Sequence, residues 1–301
     1  MHALTDEPRQ TDMRLVGLGF GYSARAFMRL ARPSSVVGTT RSEDKADALH
    51  RSGVRSVLYH GEESLTLSEA VRHATHLLVS AGPDGDGDPF LRVIERDLAH
   101  APDLKWIGYL STVGVYGDHD GAVVDERASC HPTADRGVWR LEAEAAWTAL
   151  GRRIAVPTAV FRLAGIYGPG RNQFVALEAG KAKRIVKPGQ VFNRIHVEDI
   201  GRTLMASVER PASRVYNVAD NEPAPPEEVV AYAAALMGVE PPPEVPFDEA
   251  ELSPMARSFY GEVKRVSNAR IRQELGVRLA HPTYREGLNA LWESGRWRDS
   301  Y

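Results

Sequence analysis

A chain of 301 residues, 43% hydrophobic and 26% charged, can bury a core without staples, and its one cysteine, Cys130, leaves no intrachain disulfide to form. The formal net charge of −3 argues against a nucleic-acid partner, because phosphate-backbone binding needs a basic surface. No apolar run approaches the ~18 residues of a membrane-spanning helix, and the polar, acidic start lacks a secretory core. The expectation is therefore a cytoplasmic protein with no membrane partner, a disordered tail over residues 1–12 and folded structure from Met13.

From residue 14 to about 162, short apolar runs alternate with amphipathic stretches. The runs at 14–18, 35–38, 56–59, 76–80, 106–110 and 155–162 read as strands, and the stretches 23–31, 43–51, 67–74, 88–100 and 133–150 as helices. Most of the strand runs are apolar throughout, as strands covered on both faces are. Their alternation with helices implies right-handed βαβ units and a parallel sheet, an α/β fold. After Tyr167-Gly-Pro-Gly170 the rhythm breaks, and Pro241-Pro-Pro243 interrupts regular structure. Helices read at 227–237, ended by Gly238, and at 282–297 suggest a smaller C-terminal lobe built onto the sheet.

Between the first strand and first helix runs Leu15-Val-Gly-Leu-Gly-Phe-Gly-Tyr-Ser-Ala24. The register Gly19-x-Gly21-x-x-Ala24 suits a dinucleotide: Gly19 turns the chain, Gly21 lets backbone approach the pyrophosphate, and Ala24 permits close helix–strand packing. At the end of the second strand, where an NAD site usually has an acid, the chain has Gly38-Thr-Thr-Arg-Ser42. Arg41 offers a fork for a 2′-phosphate, with Thr40 and Ser42 as further donors. NADP is the expected cofactor, with NAD less favoured. No His-x-x-x-His or His/Cys pair has ligand spacing, so no metal site is expected.

The glycine turn, Leu110-Ser-Thr-Val-Gly-Val-Tyr-Gly117, Phe161-Arg-Leu-Ala-Gly-Ile-Tyr-Gly-Pro-Gly170, Arg194-Ile-His-Val-Glu-Asp-Ile200 and Val215-Tyr-Asn-Val-Ala-Asp220 occur in order along the chain. Together they resemble the extended or atypical short-chain dehydrogenases/reductases of the NAD(P)-dependent epimerase/dehydratase type. The resemblance implies a doubly wound Rossmann domain over residues 13–165 and a substrate lobe over residues 166–301. It places Tyr22, Ser23, Ser80 and Ala81 at the cofactor beside the glycine turn. It also places Thr112, with Ser111 beside it, where the family binds the reacting oxygen.

The family's Tyr-x-x-x-Lys pair is not kept. Aligned on Glu144, those positions hold Arg136 and Arg140. Arg140 can replace the lysine's charge and cofactor contact, but a guanidinium cannot replace a phenol as acid. Tyr116, His131, Asp135 and Asp88 are the remaining candidates for the acid. On the substrate side, Arg194 is the leading candidate, with Asp88, Tyr167 and Arg257, while relatives that grip a diphosphate carry an arginine where this chain has Phe192. The residues from Lys181 to Lys187 read as a solvated surface, and His196 and Asp199 as internal supports of a strand-to-helix turn.

The resemblance implies an NADP-dependent oxidoreductase, epimerase or dehydratase acting on a carbonyl or nucleotide-sugar-like small molecule, as a monomer or homodimer. The alternative is a non-catalytic NADP(H)-binding regulatory or partner-binding protein.

Overall fold

The computed structural model describes residues 11–299, so the tail expected over residues 1–12 lies outside the described residues except for Thr11 and Asp12. In chain order the elements are β1 (Thr11–Leu18), α1 (Tyr22–Ala31), β2 (Pro33–Thr40), α2 (Glu43–Arg51), β3 (Arg55–Leu58), α3 (Leu65–Arg72), β4 (His76–Val79), α4 (Leu91–Leu98) and β5 (Trp106–Thr112). A 3-10 turn (Val113–Tyr116), β6 (Val123–Val124), α5 (Asp135–Arg153) and β7 (Thr158–Leu163) follow. Next come β8 (Gly165–Tyr167), α6 (Gln173–Glu178), β9 (Arg184–Val186), β10 (Arg194–His196), α7 (Val197–Glu209) and β11 (Arg214–Val218). The chain continues through α8 (Pro226–Met237), β12 (Glu244–Pro246), α9 (Pro254–Tyr260), β13 (Arg265–Val266), α10 (Ala269–Gln273) and α11 (Tyr284–Glu293).

Seven strands form one sheet in the order β3-β2-β1-β4-β5-β7-β11, each neighbouring pair parallel. The runs that are apolar throughout are explained by two apolar layers, one on each face. One layer contains Leu15, Phe27, Trp106 and Phe161, the other Leu18, Leu77, Ile107 and Trp147. Each such side chain, fully buried, contributes roughly 1.5–3 kcal/mol. Strand order reverses between β1 and β4, which opens a crevice at the carboxyl ends of the strands.

The six expected strands are all present with shifted ends. β1 begins at Thr11, two residues before Met13, because Thr11 pairs with Pro33 of β2. The stretch expected as strand from residue 155 begins only at Thr158, after Ala155 takes a left-handed turn at φ +56. Helix α4 starts at Leu91, not at Asp88, because the Asp88 carboxylate accepts the N–H groups of Phe90 and Leu91 as a cap. The last helical stretch is divided by Gly295 at φ +66 into α11 and a separate 3-10 turn, Arg296–Arg298.

After residue 166 the chain also returns to the sheet. β11 pairs with β7 from Arg214↔Ala159 to Val218↔Leu163. Helix α7 brings Ile200 and Leu204 into the layer that holds Phe27 of α1, and Gly201 permits the close approach: a Cβ there would lie 2.8 Å from Leu30. The remainder builds a lobe from the pairs β8–β10 and β9–β12. A separate apolar cluster there contains Tyr167, Phe174, Val229, Tyr284 and Leu288.

Candidate active site

The turn after β1 is shaped by three glycines with different tasks. Gly19 takes φ +75, and a Cβ there would lie 2.8 Å from the backbone nitrogen of Ala81. Its N–H donates to Thr39 Oγ1 at 2.7 Å, and its carbonyl accepts from Ser80 Oγ. Gly17 is required instead by the Phe20 ring, whose Cδ2 would sit 2.3 Å from an added Cβ. Gly21 is different, because nothing lies within 4 Å of where its Cβ would be. It precedes α1 with no side-chain cap, and the first turn of α1 carries no acid. The helix start therefore offers the positive end of its dipole with no competing cap or acid, as an anion site requires. Ala24 is fully buried against the sheet, and the Tyr22 hydroxyl donates to the Pro169 carbonyl at 2.8 Å.

At the carboxyl end of β2, Arg41 is exposed. Thr40 Oγ1 accepts from the N–H of Ser42 at 3.3 Å, and Ser42 caps α2 through Lys45 N. The acids Glu43 and Asp44 stand in the first turn of α2, where they favour that helix dipole.

One cavity of about 990 Å³ runs from this turn into the lobe, lined at its inner end by Gly21, Tyr22, Ser23, Ser80, Thr112 and Arg140. Thr112 ends β5 and caps the following 3-10 turn, its Oγ1 accepting from Gly114 N at 3.1 Å. Its own hydroxyl proton stays available to a ligand. Ser111 is committed elsewhere: its hydroxyl donates to Glu144 Oε1, and the residue is buried. Arg140 donates through Nη1 to the Leu110 carbonyl at 2.7 Å and more weakly to Ala81 at 3.4 Å. Its charge is thus fixed at the ends of β4 and β5. Arg136 points to the lobe, with Nη2 2.7 Å from Ser258 Oγ and its guanidinium over the Phe259 ring.

Several expected site residues stand apart from the cavity. Tyr116 is fully buried; its hydroxyl donates to Asn217 Oδ1 at 2.7 Å, and burial raises its pKa, so it supports the fold there. Asp88 is spent on the α4 cap and on Trp147, whose Nε1 donates to Oδ2 at 2.9 Å. Arg257 lies over the Phe247 ring and donates to the Ala250 carbonyl. Cys130 is half-buried, and burial pushes its thiol up, away from the thiolate. His131 and Asp135 are exposed outside the cavity lining.

At the lobe end, Arg194 and Tyr167 do line the cavity. Arg194 Nη1 donates to the carbonyls of Phe192 and Ala224 at 2.9 and 3.1 Å. Burial pulls its pKa below the ordinary value, with Asp220 acting in opposition. Lys181 and Lys183 stand exposed at the lining, so that part of the solvated stretch faces the site. Tyr260, Glu262 and Tyr284 also line it; no motif marked them, and only the fold brings them there. Lys264 donates to Gly117 O and to Glu262 Oε2, both at 2.6 Å. Away from the cavity lining, potential ligand atoms of His196, Glu198 and His281 lie within 4.8 Å of one another. Chain spacing could not reveal that grouping.

No family model matches the chain. A protein of Silicibacter pomeroyi DSS described as functionally unknown is 51% identical, with a TM-score of 0.84 over 93% of this chain and 98% of that one. A Methylobacillus flagellatus protein classed with the NAD-dependent epimerases/dehydratases is 25% identical, with a TM-score of 0.70 over 95% and 100% of the two chains. UDP-glucuronic acid 4-epimerase of Bacillus cereus, in complex with NAD, shares the fold at 17% identity and a TM-score of 0.73, covering 93% and 95%. Among curated proteins, a 3-diazoavenalumate denitrifying reductase of a Streptomyces species is 30% identical over 142 residues, 43% of this chain. That stretch spans 45% of the reductase, less than half its length. Among the described residues no helix is long and apolar enough to cross a membrane.

Proposed function

Because the chain belongs to the NAD-dependent epimerase/dehydratase fold family, the extended short-chain dehydrogenases/reductases, we propose that it is an NADP(H)-dependent oxidoreductase acting on a carbonyl group of a small molecule. The observation that carries this reading is one cavity shared by the uncapped start of α1, the Thr112 hydroxyl and the Arg140 guanidinium. The open space at Gly21 fits a pyrophosphate. Gly19, Gly21, Tyr22, Ser23 and Ala24 would hold it, beside Ser80 and Ala81, with Thr40, Arg41 and Ser42 on the 2′-phosphate. When bound, the nicotinamide supplies or accepts a hydride. Thr112 donates a hydrogen bond to the substrate oxygen, and Arg140 stabilises negative charge developing there. Arg140 keeps its own proton at any usable pH, so the proton that completes the alcohol comes from water in the open cavity.

Turnover tests this. Wild-type protein should oxidise NADPH with aldehyde and ketone substrates, and Thr112→Val should lower kcat/KM by about tenfold or more. A non-catalytic NADP(H)-binding regulator is the second reading, favoured by Arg136 and Arg140 in place of a phenol and a lysine. NADP binding with NADPH oxidation never above background would establish it. Arg41→Glu should weaken NADP binding by about tenfold or more while sparing NAD; equal NADP affinity in variant and wild type would remove Arg41 from the cofactor site.

A further inference from the structure

The lobe end of the cavity combines a buried cation with an apolar slot. Six basic side chains line the whole cavity, Arg140, Arg171, Lys181, Lys183, Arg194 and Lys264, against one acid, Glu262. Glu262 is engaged by Lys264 at 2.6 Å. Among the described residues no carboxylate lies within 4 Å of Arg194, although Asp220 acts on its charge from farther off; two backbone carbonyls on Nη1 fix the fork. A charge removed from water in this way gains most from an anion with matching geometry.

A second observation points the same way. Tyr284 is 1% exposed, lines the cavity and carries a buried hydroxyl with no hydrogen-bond partner. Such a donor is held at a cost that a bound acceptor removes. Around these polar groups the wall is apolar and aromatic. Phe192 meets Tyr260 edge-on at 5.1 Å, and Val229, Val230, Leu252 and Leu288 complete the slot. Exposed Lys181 and Lys183 add an attractive field for anions.

The geometry points to a substrate with a single carboxylate, held by Arg194 and Tyr284, and an apolar ring-bearing body packed against Phe192 and Tyr260. This rests on the reading of the cavity as the substrate site of an oxidoreductase, and it names the substrate class for that site. A nucleotide sugar is the competing occupant, since the same lining carries Arg171, Lys181 and Lys183 and the amides of Asn172, Gln173 and Asn193.

Calorimetric binding to NADP-saturated protein tests the assignment without turnover. The probes are trans-cinnamate, its neutral isostere cinnamamide, and UDP-glucose. Cinnamate should bind about tenfold or more tighter than either of the others. Arg194→Met should abolish the acid-over-amide preference while retaining cinnamamide binding, which also reports that the variant is folded. Tyr284→Phe should weaken cinnamate several-fold and cinnamamide by less, since only the carboxylate loses a charge-assisted bond. Equal affinities for acid and amide, tighter binding of UDP-glucose, or no cinnamate binding to protein that does hold NADP would each overturn the assignment. Failure to bind NADP would overturn the cofactor reading beneath it, so the two failures are distinguishable.

Discussion

Arg162 on β7 and Glu144 on α5 form a buried ion pair, Nη2 to Oε2 2.7 Å, with side chains only 7% and 6% exposed. The same carboxylate accepts from Ser111, and the guanidinium lies over the Tyr116 ring at 4.8 Å. One network therefore joins α5 to β5 and β7 beneath Thr112. Removing one partner leaves the other charge buried and uncompensated. Glu144→Gln should cost about 3–5 kcal/mol of stability in denaturant titration. The double variant Glu144→Leu with Arg162→Met should recover much of that loss, because no unpaired charge remains. A Glu144→Gln protein within about 1 kcal/mol of wild type would show that the pair does not govern this layer.

Gly19 and Gly21 separate strain from ligand approach. Gly19→Ala introduces a methyl at φ +75 and 2.8 Å from Ala81 N, so about 1–3 kcal/mol of stability should be lost before any ligand is added. Gly21→Ala meets open space at an ordinary φ of −100, and its melting temperature without ligand should stay near wild type. Its methyl would occupy the approach to the pyrophosphate, so NADP affinity should fall by about tenfold or more. Thermal melts with and without NADP report both effects. Unchanged NADP stabilisation of Gly21→Ala would place the pyrophosphate elsewhere.

The sheet was legible because continuous apolar runs such as Trp106–Leu110 have one physical use, burial on both faces. The glycine turn was legible for a similar reason: a positive φ and a close approach leave few choices of residue. What could not be read is set by contacts between distant segments. Tyr116 looked available until the fold placed Asn217 against its hydroxyl, 101 residues away. Asp88 opens the stretch read as the fourth helix, but its carboxylate is consumed by the start of α4 and by Trp147. β11 was missed because Val215-Tyr-Asn-Val-Ala is short and follows a helix from the half read as the lobe; only pairing with β7 makes it a strand. Tyr284 carried no motif at all, since an unsatisfied hydroxyl is a property of what surrounds it.

His196 and Asp220, both buried, should bend the pH dependence of stability in opposite directions. His196 packs against His281 with ring centroids 3.8 Å apart, its Nδ1 accepts from Glu198 N, and Nε2 has no partner. Burial, then the neighbouring His281, lowers its pKa from 6.5 to about 3. Between those values the unfolded chain binds the extra proton, so this contribution is present above pH 6.5 and is lost on acidification, by about 2 kcal/mol between pH 7.5 and 5. Asp220 is pushed up from 3.8 to about 7 by burial. There the folded state holds the proton, so acidification through pH 7 adds stability of similar size. The wild-type curve therefore mixes two opposed slopes, and variants resolve them. His196→Asn keeps an acceptor for Glu198 N, and the advantage of wild type over this variant should shrink as pH falls from 7.5 to 5. For Asp220→Asn the comparison should run the other way, with wild type gaining on the variant over the same range. Urea midpoints at the two pH values measure both; a pH-independent gap for either variant would mean that its residue titrates alike in the folded and unfolded chains.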